Sequence, residues 1–420
     1  MKAFEIDHFS LLVGLDWADR KHDICEHQPD TTDYQYKVIS SCPEAIDAWA
    51  NSLKQRYPDK PVAVACELKK GPLIHALSKH EHIVLYPISP KTVAKYRDAF
   101  SSSGAKNDPV DAYLQLEILK HHMDKLTPLV ADKAEIRILE QLLEFRRTMV
   151  QECITITNRI TANAKNYYPQ LLNLFEEKDT IIFCDFVEKW PTLKKAKRAR
   201  KQTLVDFFNA HSSRYPKVNE KRIAEIKSAH ELTDDLGVIV ACEIKMKLLI
   251  AQLRQIIQSI KTLDQEIKTR YRLMDDKEIF SSFPAAGPQM APRLLVAFGS
   301  NRERYQSAAD VQKYAGIAPV IEQSGKKSWT HWRYSCPKFL RQTFVEWAGM
   351  TMRYSFWAKC YYEQQIAKGK HHNTVVRSLA FKWIRIMYRC WKERRPYDEA
   401  AYLMSLKERG SPLLKAMVNT

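Results

Sequence analysis

The stretch LLVGLDWADRKHDICEHQPDTTDYQYKVISS, residues 11–41, decides the fold expected for the first part of this chain. It contains three runs rich in apolar, β-branched and aromatic residues, at 11–16, 22–26 and 36–41, which are separated by polar residues. Such runs between turn-forming residues predict three consecutive β-strands.

Helices and strands alternate after this region. The sequence predicts a helix at 43–56 and buried strands at 62–67 and 83–88. Three meandering strands followed by alternating helices and strands is the order of the ribonuclease H type of fold. Three further helices are each expected to begin beside a proline, which suits the first helical turn: Pro72, Pro90 and Pro109.

Four acidic residues occupy special places in this pattern. Asp16 and Glu67 end the first and fourth predicted strands, and Asp108 and Asp111 lie three apart at a helix start, where they share a face. Any one carboxylate alone has a structural interpretation, such as Asp108 as a helix N-cap. Together they predict a site for divalent cations acting on phosphate.

Residues 131–275 are expected to be mainly helical. A helix at 134–168 could pair antiparallel with a later one that has a 3.5-residue apolar period, which predicts a coiled coil. This helix pair could be a hairpin within one chain or a dimerisation arm, and both interpretations remain open. The apolar positions of the later helix are Ile239, Cys242, Met246, Leu249, Leu253, Ile256, Ile260, Leu263 and Ile267.

A basic insert at about 176–225 contains the run KWPTLKKAKRARK, residues 189–201, which has seven basic residues and no acidic one. Charge runs are usually solvated surface, but in this chain we favour phosphate contacts. The predicted contacts are Lys194, Lys195, Lys197, Arg198 and Arg200.

The sequence pattern of 276–400 differs from that of the helical segment before it, and 401–420 is expected to be a tail. Ser324-Gly325 would by itself indicate a turn. The basic and aromatic stretch KKSWTHWRYSCPKFLR, residues 326–341, follows it and is typical of nucleic-acid contact. A helix at 374–394 adds a cationic stripe. The predicted contacts are Lys326, Lys327, Trp329, Arg333, Lys338, Arg341, Lys382, Arg385 and Arg389.

Composition agrees with a polyanionic partner. The 420 residues include 66 Lys and Arg against 49 Asp and Glu, a formal net charge of +17. No apolar run is long enough for a membrane span and the first residues do not resemble a signal peptide, so we expect a cytoplasmic protein without a membrane partner. The nine scattered cysteines are expected to be reduced thiols.

The sequence motifs of this chain resemble those of the IS110-type transposases, the bridge-RNA-guided serine recombinases. Gly14-Leu15-Asp16, the strand ending at Glu67 and the motif at 106–112 (KNDPVDA) look like the family's DEDD domain of RuvC-like fold, expected at 1–130. The segment 314–319 (YAGIAP) with Ser324-Gly325 is similar to its C-terminal transposase domain. This chain differs from the family pattern at two motifs. Pro284-Ala285-Ala286-Gly287 stands in place of a Pro-Gly-Ile-Gly turn, and the segment 335–341 lacks a common Lys-Arg-Gly.

The resemblance implies a DNA transposase in which Asp16, Glu67, Asp108 and Asp111 bind two Mg²⁺ ions. Ser324 would form a covalent 5′-phosphoserine link to DNA. A structured non-coding bridge RNA would guide a homodimer or homotetramer to target and donor DNA, with one chain's acids combined with another chain's serine.

Two other functions remain open from the residues themselves. A metal-dependent nuclease selective for branched DNA would need the four acids and no serine, and a non-catalytic nucleic-acid-binding protein would need neither. Ser324 is the residue that separates a recombinase from a nuclease.

Overall fold

The computed structural model describes residues 4–67, 70–100, 108–211, 215–411 and 413. The chain forms two compact units, Met1–Ala131 and Asp132–Thr420. The first is α/β and the second is mostly helical, as the sequence predicts.

The first unit is built on a mixed five-stranded sheet. Its strands are β1 (Leu11–Trp17), β2 (Lys21–His27), β3 (Gln35–Ser40), β4 (Val62–Cys66) and β5 (Ile83–Pro87), and its helices are α1 (Pro43–Arg56), α2 (Pro72–Leu77), α3 (Pro90–Phe100) and α4 (Asp108–His122). The strand order is β3-β2-β1-β4-β5, with β1, β2 and β3 antiparallel and β4 and β5 parallel to β1. The five predicted strands are confirmed, with each end within one residue of its predicted position.

Both faces of this sheet are covered. Leu11, Val13 and Leu15 of β1 point to the face that α1 and α2 bury, whereas Leu12 points to the face that packs against α4. Strands buried on both sides read as continuous apolar runs, which explains the sequence of β4, VAVAC.

The second unit contains two long helices, several shorter ones and one hairpin. Its helices are α5 (Ala134–Tyr167), α6 (Leu171–Leu174), α7 (Ile181–Lys189), α8 (Leu193–Arg198), α9 (Lys201–Ala210), α10 (Pro216–Ser228), α11 (Leu236–Tyr271), α12 (Lys277–Ser281), α13 (Met290–Phe298), α14 (Ala308–Tyr314), α15 (Lys338–Thr351), α16 (Phe356–Ala367), α17 (His372–Glu393) and α18 (Glu399–Glu408). The hairpin strands, β6 (Val320–Ser324) and β7 (Lys327–His331), are antiparallel.

The long helices α5 and α11 pack against each other in opposite directions. Asn163 Nδ2 donates to the carbonyl of Cys242 at 2.9 Å, and Arg146 Nε donates to Asp264 at 2.5 Å. The later position on α5 thus contacts the earlier position on α11. The predicted helix pair is therefore present as an intramolecular hairpin.

Each end of the α5–α11 pair carries its own hydrophobic core. At one end α6 to α10 pack around Phe183, Phe186 and Phe208, which are fully buried. At the other end α12 to α17 surround Trp347 and Trp383. The basic insert is thus a folded group of helices. None of the described helices is both long and apolar enough to cross a membrane.

Candidate active site

Three of the predicted acids lie toward the same end of the first unit's sheet. Asp16 lies four residues after Leu12 in β1. Because alternate residues of a strand share a face, its side chain points to the face that α4 covers. Gly14 lies beside Ala65 of β4, and Glu67 follows β4 by one residue. Extending that register places Glu67 beside Asp16.

Helix α4 sits unusually close to β1 because residue 14 is glycine. A Cβ at Gly14 would overlap the Ala112 carbonyl and would lie 2.6 Å from the Leu116 nitrogen. The buried amide of Gln115, in the orientation that satisfies both of its ends, donates to the carbonyls of Leu15 at 2.9 Å and Ala65 at 3.3 Å. These contacts fix α4 over the ends of β1 and β4.

Asp111 lies one helical turn before Gln115 and is only 4% exposed. Its carboxylate is ion-paired with Arg97 of α3, and the Nε of Arg97 is buried without a hydrogen-bond partner. A guanidinium therefore supplies positive charge beside this carboxylate. The Asp108 side chain and the preceding Lys106 and Asn107 lie outside the described residues.

The oxygen donors of Asp16, Glu67 and Asp111 are the ligand type that Mg²⁺ prefers. Within the described part of the chain, no three potential ligands converge tightly enough to hold a metal ion. The donor chemistry and the shared face fit a divalent cation, with Asp108 as the further carboxylate that the sequence supplies.

Sequence reasoning missed a further acid at this edge. Asp23 of β2 is 4% exposed and stands directly opposite Asp16 in the antiparallel register, so both side chains share one face. Lys21 forms an ion pair with Asp23 at 3.1 Å. The alternation of β2 in the sequence was the signal that could have identified it.

Ser324 occupies the tip of an exposed β-hairpin in the second unit. It is the last residue of β6 and pairs with Lys327, the first of β7, across a two-residue turn. Gly325 has a φ of 58°, which a two-residue turn with glycine at its first position requires. The hydroxyl is therefore at the end of an ordered projection.

The face of the hairpin that carries Ser324 is polar and partly cationic. Lys327 stands directly opposite, at a spacing that brings Cβ atoms to about 4.5–5.5 Å. Next along the same face, Glu322 accepts from Trp329 Nε1 at 3.0 Å and pairs with His331 at 3.1 Å. Trp329, predicted to stack on bases, is 42% exposed with its ring nitrogen already bonded.

The base of the hairpin is held by one close contact. Gly316, with a φ of 71°, would place a Cβ only 2.7 Å from the Cys336 Cβ. Cys336 Sγ and Arg341 Nη1 both contact the carbonyl of Arg333, at 3.5 and 3.2 Å. The segments before β6 and after β7 are thereby fixed to each other.

The other predicted nucleic-acid contacts differ in how free they are to meet a ligand. Lys326 and Lys338 are exposed, whereas Arg389 is paired with Glu393 at 3.0 Å. Arg385 is exposed on α17, and Lys382 lies 4.9 Å from the centre of the Tyr361 ring. The predicted stripe on α17 is thus partly neutralised within the protein.

The basic run of the insert shows the same division. Lys195 pairs with Glu243 at 2.7 Å, and the ammonium of Lys197 donates to the Ala229 carbonyl at 2.6 Å. Both side chains have structural roles. Lys194, Arg198 and Arg200 of the same run are exposed.

Comparison with known proteins shows consistent similarity. A model described as a transposase, of the DEDD type of IS110, matches residues 13–169, and a model described as the transposase IS116/IS110/IS902 family matches residues 277–363. The "mini-circle putative transposase for IS117" of Streptomyces coelicolor is 25% identical, with 94% of this chain and 96% of that protein aligned. An uncharacterized 44.8 kDa protein of the insertion element IS116 of Streptomyces clavuligerus is 21% identical, with 78% of this chain and 81% of that protein aligned. An uncharacterized 43.6 kDa protein of the insertion element IS110 of Streptomyces coelicolor is 23% identical, with 75% of this chain and 74% of that protein aligned.

Proposed function

This chain belongs to the IS110 family of transposases, enzymes of insertion sequences that cut and rejoin DNA, and from this premise we propose a covalent serine mechanism for it. Ser324 is the nucleophile and Asp16, Glu67, Asp108 and Asp111 form its metal-binding partner group. The order β3-β2-β1-β4-β5 supports a RuvC-like first unit, and the antiparallel α5–α11 pair supports a coiled-coil interpretation of the middle segment.

The observation that carries the serine assignment is the place of Ser324. An exposed hydroxyl at a hairpin tip, opposite Lys327 and beside Lys326, can approach a phosphodiester without unfolding the protein. In the proposed step Oγ forms a bond to phosphorus while the bond from phosphorus to O3′ breaks. The serine proton passes to solvent, and the departing 3′ oxygen takes up a proton.

Rejoining reverses these bond changes on a different strand, because a free 3′ hydroxyl attacks the phosphoserine and releases Ser324. One phosphoester replaces another at each step, so no nucleotide hydrolysis is needed. Lys327 offsets the charge that develops on the attacked phosphate. Mg²⁺ held by the acidic group would add Lewis-acid stabilisation of the same charge.

The serine mechanism is tested with Ser324→Ala and the matched variant Ser328→Ala. Ser328 is also an exposed hairpin serine, but it pairs with Gln323, so its side chain points to the other face. We expect Ser324→Ala to abolish covalent protein–DNA adducts on denaturing gels, while Ser328→Ala retains them and both variants bind DNA. Normal recombination by Ser324→Ala would refute the nucleophile assignment.

The metal group is tested with Asp16→Asn against Asp19→Asn, which removes an exposed carboxylate from the nearby β1–β2 turn. Asp16→Asn should lose Mg²⁺-dependent DNA cleavage and Asp19→Asn should not. Cleavage that needs Asp16 but survives Ser324→Ala would instead support the branched-DNA nuclease.

A guide RNA and a homodimer or homotetramer complete the proposal. The net charge of +17 is compatible with RNA as well as DNA as a polyanionic partner. Sequencing of RNA that copurifies with the protein should return one defined structured species, and bulk cellular RNA alone would count against guidance.

A further inference from the structure

Two arginines lie over one tryptophan at the base of the serine hairpin. The guanidinium carbon of Arg377 is 3.0 Å from the centre of the Trp332 ring, and that of Arg341 is 4.9 Å from it. Arg333 follows Trp332 directly and is bonded to Arg341 through its carbonyl. Two guanidinium groups are thus gathered at one indole.

Within the described part of the chain, these arginines have no carboxylate as a counter-charge. Among the residues that the structure describes, no carboxylate forms a salt bridge with Arg333, Arg341 or Arg377. The Nε atoms of Arg333 and Arg377 are buried without a hydrogen-bond partner. Burial, and after it the neighbouring charge of Arg341, lowers the pKa of Arg377. Gathering unpaired cations in this way costs folding free energy.

Two other partly buried arginines of the same unit illustrate the paired arrangement. Arg302 bonds Asp276 through both terminal nitrogens, at 2.8 and 2.6 Å, and Arg254 bonds both Asp185 and Glu188, at 2.5 and 2.7 Å. Around Trp332 no carboxylate of the described residues takes this place, so an anion from outside the chain can do so.

We propose that Arg341 and Arg377 form a phosphate clamp at Trp332, which binds a backbone phosphate of nucleic acid distinct from the phosphate that Ser324 attacks. Planar guanidinium groups bind phosphate through paired hydrogen bonds, and stacking on the indole orients them for it. The clamp itself needs only the arginine geometry; its separation from the attacked phosphate rests on the proposed function.

The fixed hairpin base gives the clamp a defined distance from the nucleophile. Trp332 directly follows β7, whose last residue, His331, pairs with Val320. Four residues of strand separate Val320 from Ser324, a length of about 13 Å. This is roughly the rise of four nucleotides along one strand of duplex DNA. A phosphate in the clamp would therefore set the register of the strand presented to Ser324.

The test measures binding by the full-length protein without any cleavage step. The probe is a fluorescein-labelled 40-base-pair DNA duplex of arbitrary sequence, or in a second arm a structured RNA of similar length, titrated between about 50 and 300 mM KCl. Each lost phosphate contact should reduce the slope of log affinity against log salt by about one. We expect this loss for Arg377→Gln and for Arg341→Gln, in the arm whose backbone the clamp binds.

The matched control is Arg270→Gln, because Arg270 is half-buried like Arg341 and Arg377 but is already paired with Glu266 at 2.6 Å. Its salt slope should equal that of the unmodified protein. Arg377→Lys keeps the charge but loses the planar group, so it should recover the slope and only part of the affinity. Melting temperatures of all variants identify any that fail to fold, and Arg341→Gln, at a different element, then carries the test.

Unchanged slopes for Arg377→Gln and Arg341→Gln with both DNA and RNA would overturn the clamp. The result is independent of the serine chemistry. A reduced salt slope in the arginine variants, with no covalent adduct at Ser324 in the unmodified protein, would support the clamp and refute the serine recombinase. An adduct at Ser324 with unchanged salt slopes would support the recombinase and refute the clamp.

Discussion

Gly14 shows how one missing side chain builds the candidate metal site. The Ala112 carbonyl of α4 occupies the space that a Cβ would need. We expect Gly14→Ala to destabilise the first unit by about 2–3 kcal/mol through overpacking, and to weaken Mg²⁺-dependent activity because α4 carries Asp111. Denaturant unfolding measures the first effect.

The matched control for this prediction is Gly349→Ala on α15, where the added Cβ would lie 3.7 Å from Val376, an ordinary contact. That variant should be as stable as the unmodified protein or up to about 1 kcal/mol more stable, because alanine favours helix. Equal stability of the two variants would show that α4 can move away from β1.

Glu26 predicts an acid-dependent loss of stability. Burial opposes ionisation of this carboxylate, but hydrogen bonds from Arg56, Lys37 and Trp49 outweigh burial and hold its pKa below the usual value. The stabilisation is therefore present above about pH 4.5 and is lost as the pH falls through the lowered pKa. Glu26→Gln should cost about 2 kcal/mol at pH 7.

The measurement is denaturant unfolding of both proteins between pH 7 and pH 3. The difference between Glu26→Gln and the unmodified protein should shrink as the pH falls below about 4.5, because the unfolded carboxylate then takes up a proton that the native one, with its lowered pKa, resists. A difference that stays constant with pH would mean that the charge of Glu26 contributes nothing.

At the scale of elements, the hairpin turn controls where Ser324 points. Gly325→Ala places a Cβ at a φ of 58°, at a cost of about 1 kcal/mol or more. We expect a five- to tenfold slower formation of the covalent adduct, about 1–1.4 kcal/mol in barrier, with unchanged DNA affinity. Gly369→Ala, at a φ of 77° between α16 and α17, carries similar strain away from the hairpin and should leave the adduct rate unchanged.

Secondary structure could be read from the sequence wherever periodicity was strong. The helix at 43–56 and the strand of VAVAC appear as predicted because each has one unambiguous apolar pattern. The site was less predictable, since burial of Asp23 and pairing of Asp111 with Arg97 depend on register and on α3, which local patterns do not encode. Arg377 lies 36 residues from Arg341, so their meeting at Trp332 required the tertiary fold.

On the scale of the whole molecule, the second unit should unfold in parts because it has two separate cores. Phe186→Ala removes a fully buried ring that packs 5.0 Å from Phe175 and 5.2 Å from Trp190, at a cost of about 3–5 kcal/mol. Hydrogen exchange should lose protection at 153–257 and keep it at 277–393. Trp383→Ala should give the opposite pattern, and uniform loss in either variant would show one cooperative core.

The adjacency of Asn163 and Cys242 has a consequence for protein engineering. The chain leaves α5 and re-enters α11 at nearly the same point, so the helices between them form a removable cassette. A short loop could close the shortened hairpin, provided that core positions such as Ile160 and Met246 become polar, since excision would expose them. The same junction could accept a foreign domain and bring a new activity to the protein without altering the opposite end of the hairpin, around which α12 to α17 pack.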